Sequence, residues 1–191
     1  GIFRRTLDLT VEEVKELFAL GIRAVNIYVK VSDDLKDNTG KEAWNDNGLM
    51  QRAIRAIKAA CPEMIVMPDV ALDPYSIYGH DGIIEKGDVA NDATNDALVK
   101  MAVSHAKAGA DFVAPSDMMD GRVLRLRQGL DAAGFHNIGI MSYSAKYASA
   151  FYGPFRDALD SAPKDADVKV PKDKKTYQMD YANRVEAVKE A

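Results

Sequence analysis

One lysine in the second half of the chain, Lys146, lies among aromatic residues shortly after an apolar segment. Four aromatic residues flank it in sequence, namely Tyr143, Tyr147, Phe151 and Tyr152. An amine is a nucleophile near neutral pH only when its ammonium form is disfavoured, by burial among apolar groups or by a nearby cation. This setting predicts a lysine at the end of a strand that forms a Schiff base with a small carbonyl compound. An exposed lysine at the start of a helix is the alternative.

Acidic residues cluster after an earlier apolar segment. Asp69 and Asp73 follow it directly, and His80 and Asp81 come a few residues later. Carboxylate-rich groups of this kind suit hard cations such as Ca²⁺ or Mg²⁺. Acids spread along a loop more often face solvent or cap a helix, so both interpretations stay open from the residues alone.

Three further polar residues are candidates for substrate binding. Arg156 and Lys174 could bind a carboxylate, since a guanidinium can form two parallel hydrogen bonds with a planar anion. Solvated surface charge is the alternative for both. Ser116, followed by Asp117, comes after a third apolar segment, where the pair could contact substrate or cap a helix.

Apolar and polar patterning predicts the elements that position these residues. Strands are predicted at 24–31, 64–70, 111–114 and 138–143. Helices are predicted at 10–20, 49–60, 92–107, 118–133 and 182–191, the first with a Thr10–Glu13 capping box and the third capped by Asp92 or Thr94. The polar stretches 32–47 and 71–91 are predicted to be loops.

Strands that alternate with helices at this spacing predict βαβ units and a parallel sheet. No glycine-rich phosphate-binding loop follows any predicted strand, which argues against a nucleotide-binding doubly wound fold. The fold class expected is therefore α/β, a (β/α)8 TIM barrel, in which chemistry lies on the loops after the strands. Such barrels typically need about 250 residues. The chain is thus expected to be one partial domain over 1–191, with roughly four βα units, or half a barrel.

Composition narrows the class of protein. The net charge of the 191 residues is −4, which disfavours a nucleic-acid-binding protein. No apolar run reaches the roughly 18–20 residues that span a bilayer, and the amino terminus carries no secretory signal pattern, so a cytoplasmic location is expected. The single cysteine, Cys61, excludes an intramolecular disulfide and a cysteine-built zinc site, and is expected to be a buried or semi-buried bystander and not a nucleophile.

Several long motifs resemble the porphobilinogen synthase family, also called δ-aminolevulinic acid dehydratase. They are Gly-Leu-Met-Gln-Arg-Ala at 48–53, Pro-Ser-Asp-Met-Met-Asp-Gly-Arg at 115–122, Lys-Tyr-Ala-Ser at 146–149 and Tyr-Gln-Met at 177–179. The resemblance implies a barrel, usually in a homo-octamer, that joins two 5-aminolevulinate molecules into porphobilinogen with loss of two waters. This reaction belongs to tetrapyrrole (heme) biosynthesis.

The resemblance also implies roles for individual residues. Lys146 matches one of the two lysines that form Schiff bases in the family. Pocket positions around the lysines are matched by Asp69, Ser116, Tyr143 and Tyr152. Binding of the substrate carboxylate is assigned to Arg156, Lys174 and Gln178, the last two on an active-site lid at 164–180. Asp73, His80 and Asp81 are secondary candidates.

The chain departs from the family pattern in two places. Zinc-dependent members carry three cysteines where this chain has Ala71, Asp73 and Asp81, so no catalytic zinc is expected. The pattern is similar to the aspartate-containing bacterial branch, in which magnesium acts from another site that the sequence does not locate. The family's first strand and second lysine are also missing, so the chain is expected to be truncated at both ends.

Two alternatives follow from that truncation. The chain by itself could be a catalytically silent fragment that serves as a folding or assembly unit, with low or no turnover. A Schiff-base aldolase, which needs a single lysine, is the other alternative, and the long motifs argue against it.

Overall fold

The computed structural model describes residues 3–163 and 169–191. Its centre is a four-stranded parallel sheet in the order β1-β2-β5-β6. The strands are β1 (Ala24–Ile27), β2 (Ile65–Val70), β5 (Phe112–Pro115) and β6 (Gly139–Ile140), and a separate antiparallel hairpin consists of β3 (Ile84–Glu85) and β4 (Asp88–Val89). The predicted parallel α/β architecture is confirmed.

Six α-helices accompany the strands in the described residues. They are α1 (Leu7–Ala19), α2 (Leu49–Ala60), α3 (Asn91–Ala108), α4 (Arg122–Ala132), α5 (Gly153–Leu159) and α6 (Arg184–Glu190). Short 3-10 helices lie at Asp33–Leu35, Lys41–Trp44 and Ala150–Tyr152. Amphipathic spacing explains α2, since Met50, Ile54 and Ile57 recur on one face and are buried.

The strand order follows the chain order, so the sheet winds in one direction only. Doubly wound sheets reverse their order at a switch point. Because parallel crossovers are right-handed, winding in one direction places the connecting helices on one face of the sheet. Val66 and Val113 on that face pack with Leu98 and Met101 of α3 in the hydrophobic core. The opposite face, to which Asn26 and Asp69 belong by strand alternation, carries the polar residues.

Helix starts differ from the predictions. Helix α1 begins at Leu7 with Thr6 as its N-cap residue, and the Thr10 hydroxyl donates to the Thr6 carbonyl, so the Thr10–Glu13 capping box is wrong. Helix α3 follows Ala90 without a side-chain cap. The Thr94 hydroxyl donates instead to the Ala90 carbonyl at 2.6 Å, so neither Asp92 nor Thr94 is the cap.

Two strands are shorter than predicted, and one helix begins later. Strand β1 ends at Ile27 and β6 covers only Gly139–Ile140. Helix α4 begins at Arg122, because Met118 and Gly121 adopt left-handed conformations with φ of 67° and 72° that a right-handed helix excludes. The hairpin of β3 and β4 falls in a stretch predicted to be loop.

Candidate active site

The candidate residues lie on segments that follow the carboxyl ends of three neighbouring strands. Asp69 is the penultimate residue of β2, Ser116 directly follows β5, and Lys146 lies in the segment after β6. The Ser116 hydroxyl donates to Asp69 Oδ1 at 2.6 Å, and the Ser116 carbonyl accepts from Lys146 Nζ at 2.5 Å. Adjacent parallel strands therefore bring the predicted residues together at one edge of the sheet.

Lys146 is buried and paired with a carboxylate. Its side chain is 8% exposed, and Nζ lies 3.0 Å from Asp81 Oδ2. The ring of Tyr152 lies beneath the ammonium, with 5.2 Å from Nζ to the ring centroid. The alternative of an exposed lysine at a helix start is wrong.

The protonation of Lys146 differs from the prediction. Burial lowers the pKa of its amine, but the Asp81 carboxylate and its neighbours outweigh burial and raise that pKa above its ordinary value. The expected aromatic wall is also smaller, since Phe151 is 96% exposed and only Tyr152 stacks against Nζ. The lysine is held as an ammonium, so nucleophilic attack requires that it first leave Asp81 and lose a proton.

Asp81 accepts from a second lysine through its other oxygen. Lys174 Nζ lies 2.5 Å from Asp81 Oδ1 and 3.6 Å from Asp73 Oδ2, and its side chain is 0% exposed. Burial alone would raise the pKa of Asp81, but the two ammonium groups outweigh it and lower that pKa. For Asp73, burial prevails over the attraction of Lys174, and its pKa is raised. Solvated surface charge is therefore wrong as an interpretation of Lys174.

Asp69 is a carboxyl that retains its proton near neutral pH. Burial and then the charge of Asp73 raise its pKa to about 8, although the hydrogen bond from Ser116 and the charge of Lys146 lower it. An acid with a pKa close to the working pH can donate and recover a proton efficiently. The site therefore combines an ammonium, an ionised carboxylate and a neutral carboxyl.

The segment 169–180 closes over these groups. Met179 pairs with the lysine segment, since its amide donates to the Lys146 carbonyl at 3.0 Å and its carbonyl accepts from the Ala148 amide at 3.0 Å. The predicted lid spans 164–180, of which 164–168 lie outside the described residues. Lys174, Gln178 and Met179 are all buried there.

A histidine and a tyrosine bind this segment to the loop that carries Asp81. His80 Nε2 lies 2.8 Å from the Pro171 carbonyl, which can only accept, so the proton of the neutral ring is on Nε2. His80 Nδ1 then accepts from the Tyr177 hydroxyl at 3.0 Å, and that hydroxyl accepts from the Asp81 amide at 3.2 Å. Burial lowers the pKa of His80, which favours this neutral form.

Two predicted anion-binding residues keep donors unused. The Arg156 guanidinium lies 5.5 Å from the Tyr152 ring centroid, and its buried Nε has no hydrogen-bond partner in the described part of the chain. Both amide atoms of the buried Gln178 likewise have no partner there. Unsatisfied buried polar groups are costly, so these donors are suited to a bound ligand.

The acids do not form a metal site. Within residues 3–163 and 169–191, no group of three or more His, Cys, Asp or Glu side chains is arranged to hold a metal ion. Asp73 and Asp81 pair with lysines instead. The alternative of solvated loop acids is wrong as well, because Asp69, Asp73 and Asp81 are all buried.

Several residues of the site were not predicted. Tyr177 belongs to a recognised motif but received no role, and Asn26 and Tyr28 belong to the strand predicted at 24–31. The polar Asn26 within that β-branched run was the one sequence signal that could have marked this strand as part of the site. Arg122 donates to the Tyr143 carbonyl at 2.6 Å and lies 3.4 Å from Asp117, so it positions the segment before Lys146. Asp117 accepts from the Met119 amide within the turn before α4, and does not cap that helix.

None of the helices in the described residues is long and apolar enough to cross a membrane. Cys61 is a free, buried thiol, as predicted.

Comparison with known proteins gives one consistent result. The family described as Delta-aminolevulinic acid dehydratase matches residues 1–191. Delta-aminolevulinic acid dehydratase 1, chloroplastic, of Arabidopsis thaliana is 56% identical over 182 residues, 95% of this chain and 41% of that protein. The Bradyrhizobium diazoefficiens delta-aminolevulinic acid dehydratase is 48% identical over 190 residues, 100% of this chain and 52% of that protein.

A solved structure agrees with the sequence relatives. The delta-aminolevulinic acid dehydratase of Toxoplasma gondii ME49, in complex with the reaction product porphobilinogen, superposes with a TM-score of 0.93 at 48% identity. The match covers 98% of this chain and 52% of that one, so the chain spans about half the length of the relatives it matches. A family match along the whole chain is decisive for membership, and the chain belongs to the delta-aminolevulinic acid dehydratase family.

Proposed function

We propose that this chain provides the Lys146 half of a porphobilinogen synthase, which condenses two 5-aminolevulinate molecules with loss of two waters. The observation that carries the proposal is the buried pairing of Lys146 with Asp81 at 3.0 Å, under a lid segment that brings Lys174 to the same carboxylate. The names of the relatives and the porphobilinogen in the Toxoplasma gondii structure support it.

The charges suggest how the lysine is activated. The ammonium of 5-aminolevulinate can replace that of Lys146 at Asp81, which keeps the buried carboxylate paired. Lys146 then gives its proton to water, its amine adds to the substrate ketone, and a proton passes from the new ammonium nitrogen to the oxygen to form a carbinolamine. Asp69, with a pKa of about 8, can protonate the departing hydroxyl so that water leaves and an iminium remains. The iminium makes the neighbouring carbons acidic and its own carbon easier to attack, which is the purpose of the covalent step.

The unused donors suggest where the substrate carboxylate binds. Arg156 and Gln178 have buried donor atoms without partners in the described residues. Both are predicted to bind the carboxylate, together with Lys174 once it leaves Asp81 and Asp73. Tyr143, Tyr152 and Ser116 complete the pocket wall in this proposal.

The remaining expectations stay proposals. The one-way winding of the four strands supports a partial (β/α)8 barrel, and the burial of Lys174 and Gln178 supports a lid at 164–180. The bacterial, zinc-independent type is supported by Ala71, Asp73 and Asp81, which offer no thiolate. The described residues contain no group of three or more His, Cys, Asp or Glu side chains that could hold magnesium, and no step of the mechanism is assigned to this ion. The homo-octamer and the cytoplasmic location rest on the resemblance and the sequence pattern alone, and plant relatives are named chloroplastic.

A second proposal follows from the length of the chain. Because it spans 52% of the Bradyrhizobium diazoefficiens protein, the chain alone could be catalytically silent and serve as a folding or assembly unit. In that case activity appears only when the other half is supplied. A Schiff-base aldolase has no specific observation in its favour.

A chimera tests the proposed function. This chain would replace the matching half of the Bradyrhizobium diazoefficiens protein, and porphobilinogen would be measured from 5-aminolevulinate. The chimera should form porphobilinogen, the Lys146→Met chimera should not, and a Lys175→Met chimera, altered at an exposed lysine, should behave as the parent. A folded chimera without activity would refute the proposal.

A further inference from the structure

A polar cluster joins the two outer strands of the sheet. Asn26 of β1 donates through Nδ2 to the Tyr28 hydroxyl at 3.2 Å and to the Tyr143 hydroxyl at 2.9 Å, and the two hydroxyls hydrogen-bond each other. Asn26 lies in β1, the first strand in the order, and Tyr143 lies in the segment that follows β6, the last strand.

Aromatic contacts link this cluster to Lys146. The Tyr28 ring meets the Phe155 ring edge-on with centroids 5.2 Å apart, and Phe155 lies 5.2 Å from the Tyr152 ring. Tyr152 in turn lies beneath Lys146 Nζ. The Asn26–Tyr28–Tyr143 cluster therefore belongs to the wall of the same site.

The cluster has one more hydrogen-bond proton than its internal hydrogen bonds use. The Asn26 amide supplies two protons and each hydroxyl supplies one, which makes four, and three hydrogen bonds use three of them. Whichever hydroxyl accepts from the other also accepts from Asn26, so its lone pairs are filled and its proton is unused. One phenolic proton is thus available, and hydrogen bonds into the same oxygen strengthen it as a donor.

The orientation of the Asn26 amide supports this count. Its Oδ1 is buried without a partner in the described residues. The reverse orientation would put two amide protons in that place, and unpaired buried N–H groups are rarer than unpaired carbonyl oxygens. Burial and the Tyr143 hydrogen bond also raise the pKa of Tyr28, so this phenol keeps its proton at neutral pH.

We propose that Asn26 and Tyr28 are positioning residues. Together with Tyr143 they direct the one unused phenolic proton of the cluster toward an oxygen of the carbonyl acid bound at Lys146. The inference rests on the proposed function and deepens it, because it assigns part of substrate recognition to β1. Asn26 and Tyr28 act by filling the lone pairs of the donor hydroxyl, which limits its rotation.

Borohydride trapping of 4-oxopentanoate on the 191-residue chain tests the proposal. The concentration for half-maximal adduct on Lys146 should rise roughly threefold to tenfold in Asn26→Leu and in Tyr28→Phe, the range of one lost hydrogen bond. The concentration for half-maximal adduct should be no higher in the double variant than in the weaker-binding single variant, because Asn26 and Tyr28 act through the same proton. Tyr181→Phe, at a tyrosine 78% exposed, should leave that concentration unchanged. Unchanged values in both single variants, or fully additive losses, would overturn the proposal.

A second readout separates this inference from the proposed function. In the chain labelled with ¹³C at tyrosine Cζ, 4-oxopentanoate should shift the Tyr28 and Tyr143 signals and not that of Tyr181. Shifts without any adduct on Lys146 would refute the Schiff base and support the donor site. An adduct without these shifts would overturn the donor site, and the absence of both would overturn both proposals.

Discussion

Lys146 and Asp81 form a buried ion pair at 3.0 Å, although 65 positions separate them in the sequence. The pair decides the protonation state of the lysine, because the carboxylate holds the amine as an ammonium, whereas the proposed Schiff-base step needs the free amine. Lys174 approaches the other carboxylate oxygen, so Asp81 also connects the lysine to the segment 169–180. In the proposed function, substrate binding at this one carboxylate both frees the amine and rearranges the segment 169–180.

Asp81→Asn should make Lys146 more reactive and the protein less stable. Without the Asp81 carboxylate, the largest contribution that raises the pKa of the amine is lost, so this pKa falls, and each unit of decrease gives about tenfold more free amine near neutral pH. Removing one partner of a buried pair should lower the free energy of unfolding by about 3–5 kcal/mol. Rates of Lys146 acetylation against pH, followed by mass spectrometry, measure the first effect, and urea unfolding the second.

Asp173→Asn is the matched control for that variant, because Asp173 pairs with the exposed Lys175 at 3.5 Å. Asp173→Asn should change neither the pH dependence of Lys146 acetylation nor the free energy of unfolding. An Asp81→Asn protein with the acetylation profile of the parent would show that Asp81 does not control the amine.

Tyr177→Phe should loosen the segment 169–180. The change removes the acceptor of the Asp81 amide and the donor to His80 Nδ1, and each unsatisfied buried group costs about 1–3 kcal/mol. Hydrogen exchange of the Met179 and Ala148 amides should accelerate, whereas exchange in α2 should not. Tyr181→Phe is the control, and equal protection in the two variants would argue against this role of Tyr177.

His105 should make the protein sensitive to acid. It is fully buried, neither ring nitrogen has a partner in the described residues, and burial lowers its pKa to about 3. The unfolded chain, with an ordinary histidine pKa of about 6.5, binds the proton more tightly, so this contribution is present above pH ~6.5 and is lost as pH falls toward 3. The slope should approach about 1.4 kcal/mol per pH unit.

His105→Leu should remove that slope, which urea unfolding between pH 4.5 and 7.5 would show. His136→Leu, at an exposed histidine beside Asp131, provides the comparison. A parent-like slope in His105→Leu would assign the acid sensitivity to other groups.

Asp69 should give the stability of the protein a pH dependence opposite to that of His105. Its pKa of about 8 in the folded chain exceeds the unfolded value of 3.8, so the folded state binds the proton more tightly. This contribution to stability is present below pH ~4 and is lost as pH rises through 8. Asp69→Asn should therefore gain stability relative to the parent between pH 5 and 8. Asp46→Asn, at an exposed residue, should show no such trend, and a flat difference for Asp69→Asn would contradict the raised pKa.

The parts of the fold that depend on local pattern were predictable. Helix α2 and strand β2 end where apolar periodicity ends, at Ala60 and Val70. Placement of Asp69, Ser116 and Lys146 at one edge of the sheet follows from parallel βαβ units. The start of α4 was not predictable in this way, because the left-handed Met118 and Gly121 are set by a turn that periodicity does not register.

The electrostatics of the site depend on contacts between distant segments. Aromatic neighbours of Lys146 in sequence suggested a lowered pKa, whereas Asp81 raises it. Asn26 and Tyr143, 117 positions apart in the sequence, meet through their side chains. Sequence pattern identifies which residues approach one edge, but which pairs form there depends on side-chain positions that tertiary packing determines.

The most direct measurement is borohydride reduction of this chain with 5-aminolevulinate, followed by intact-mass and peptide analysis. One reduced adduct is expected, located on Lys146, with none in the Lys146→Arg variant and an unchanged adduct in Lys172→Arg. An adduct distributed over other lysines, or none on Lys146 while the protein remains folded, would show that Lys146 is not the Schiff-base lysine.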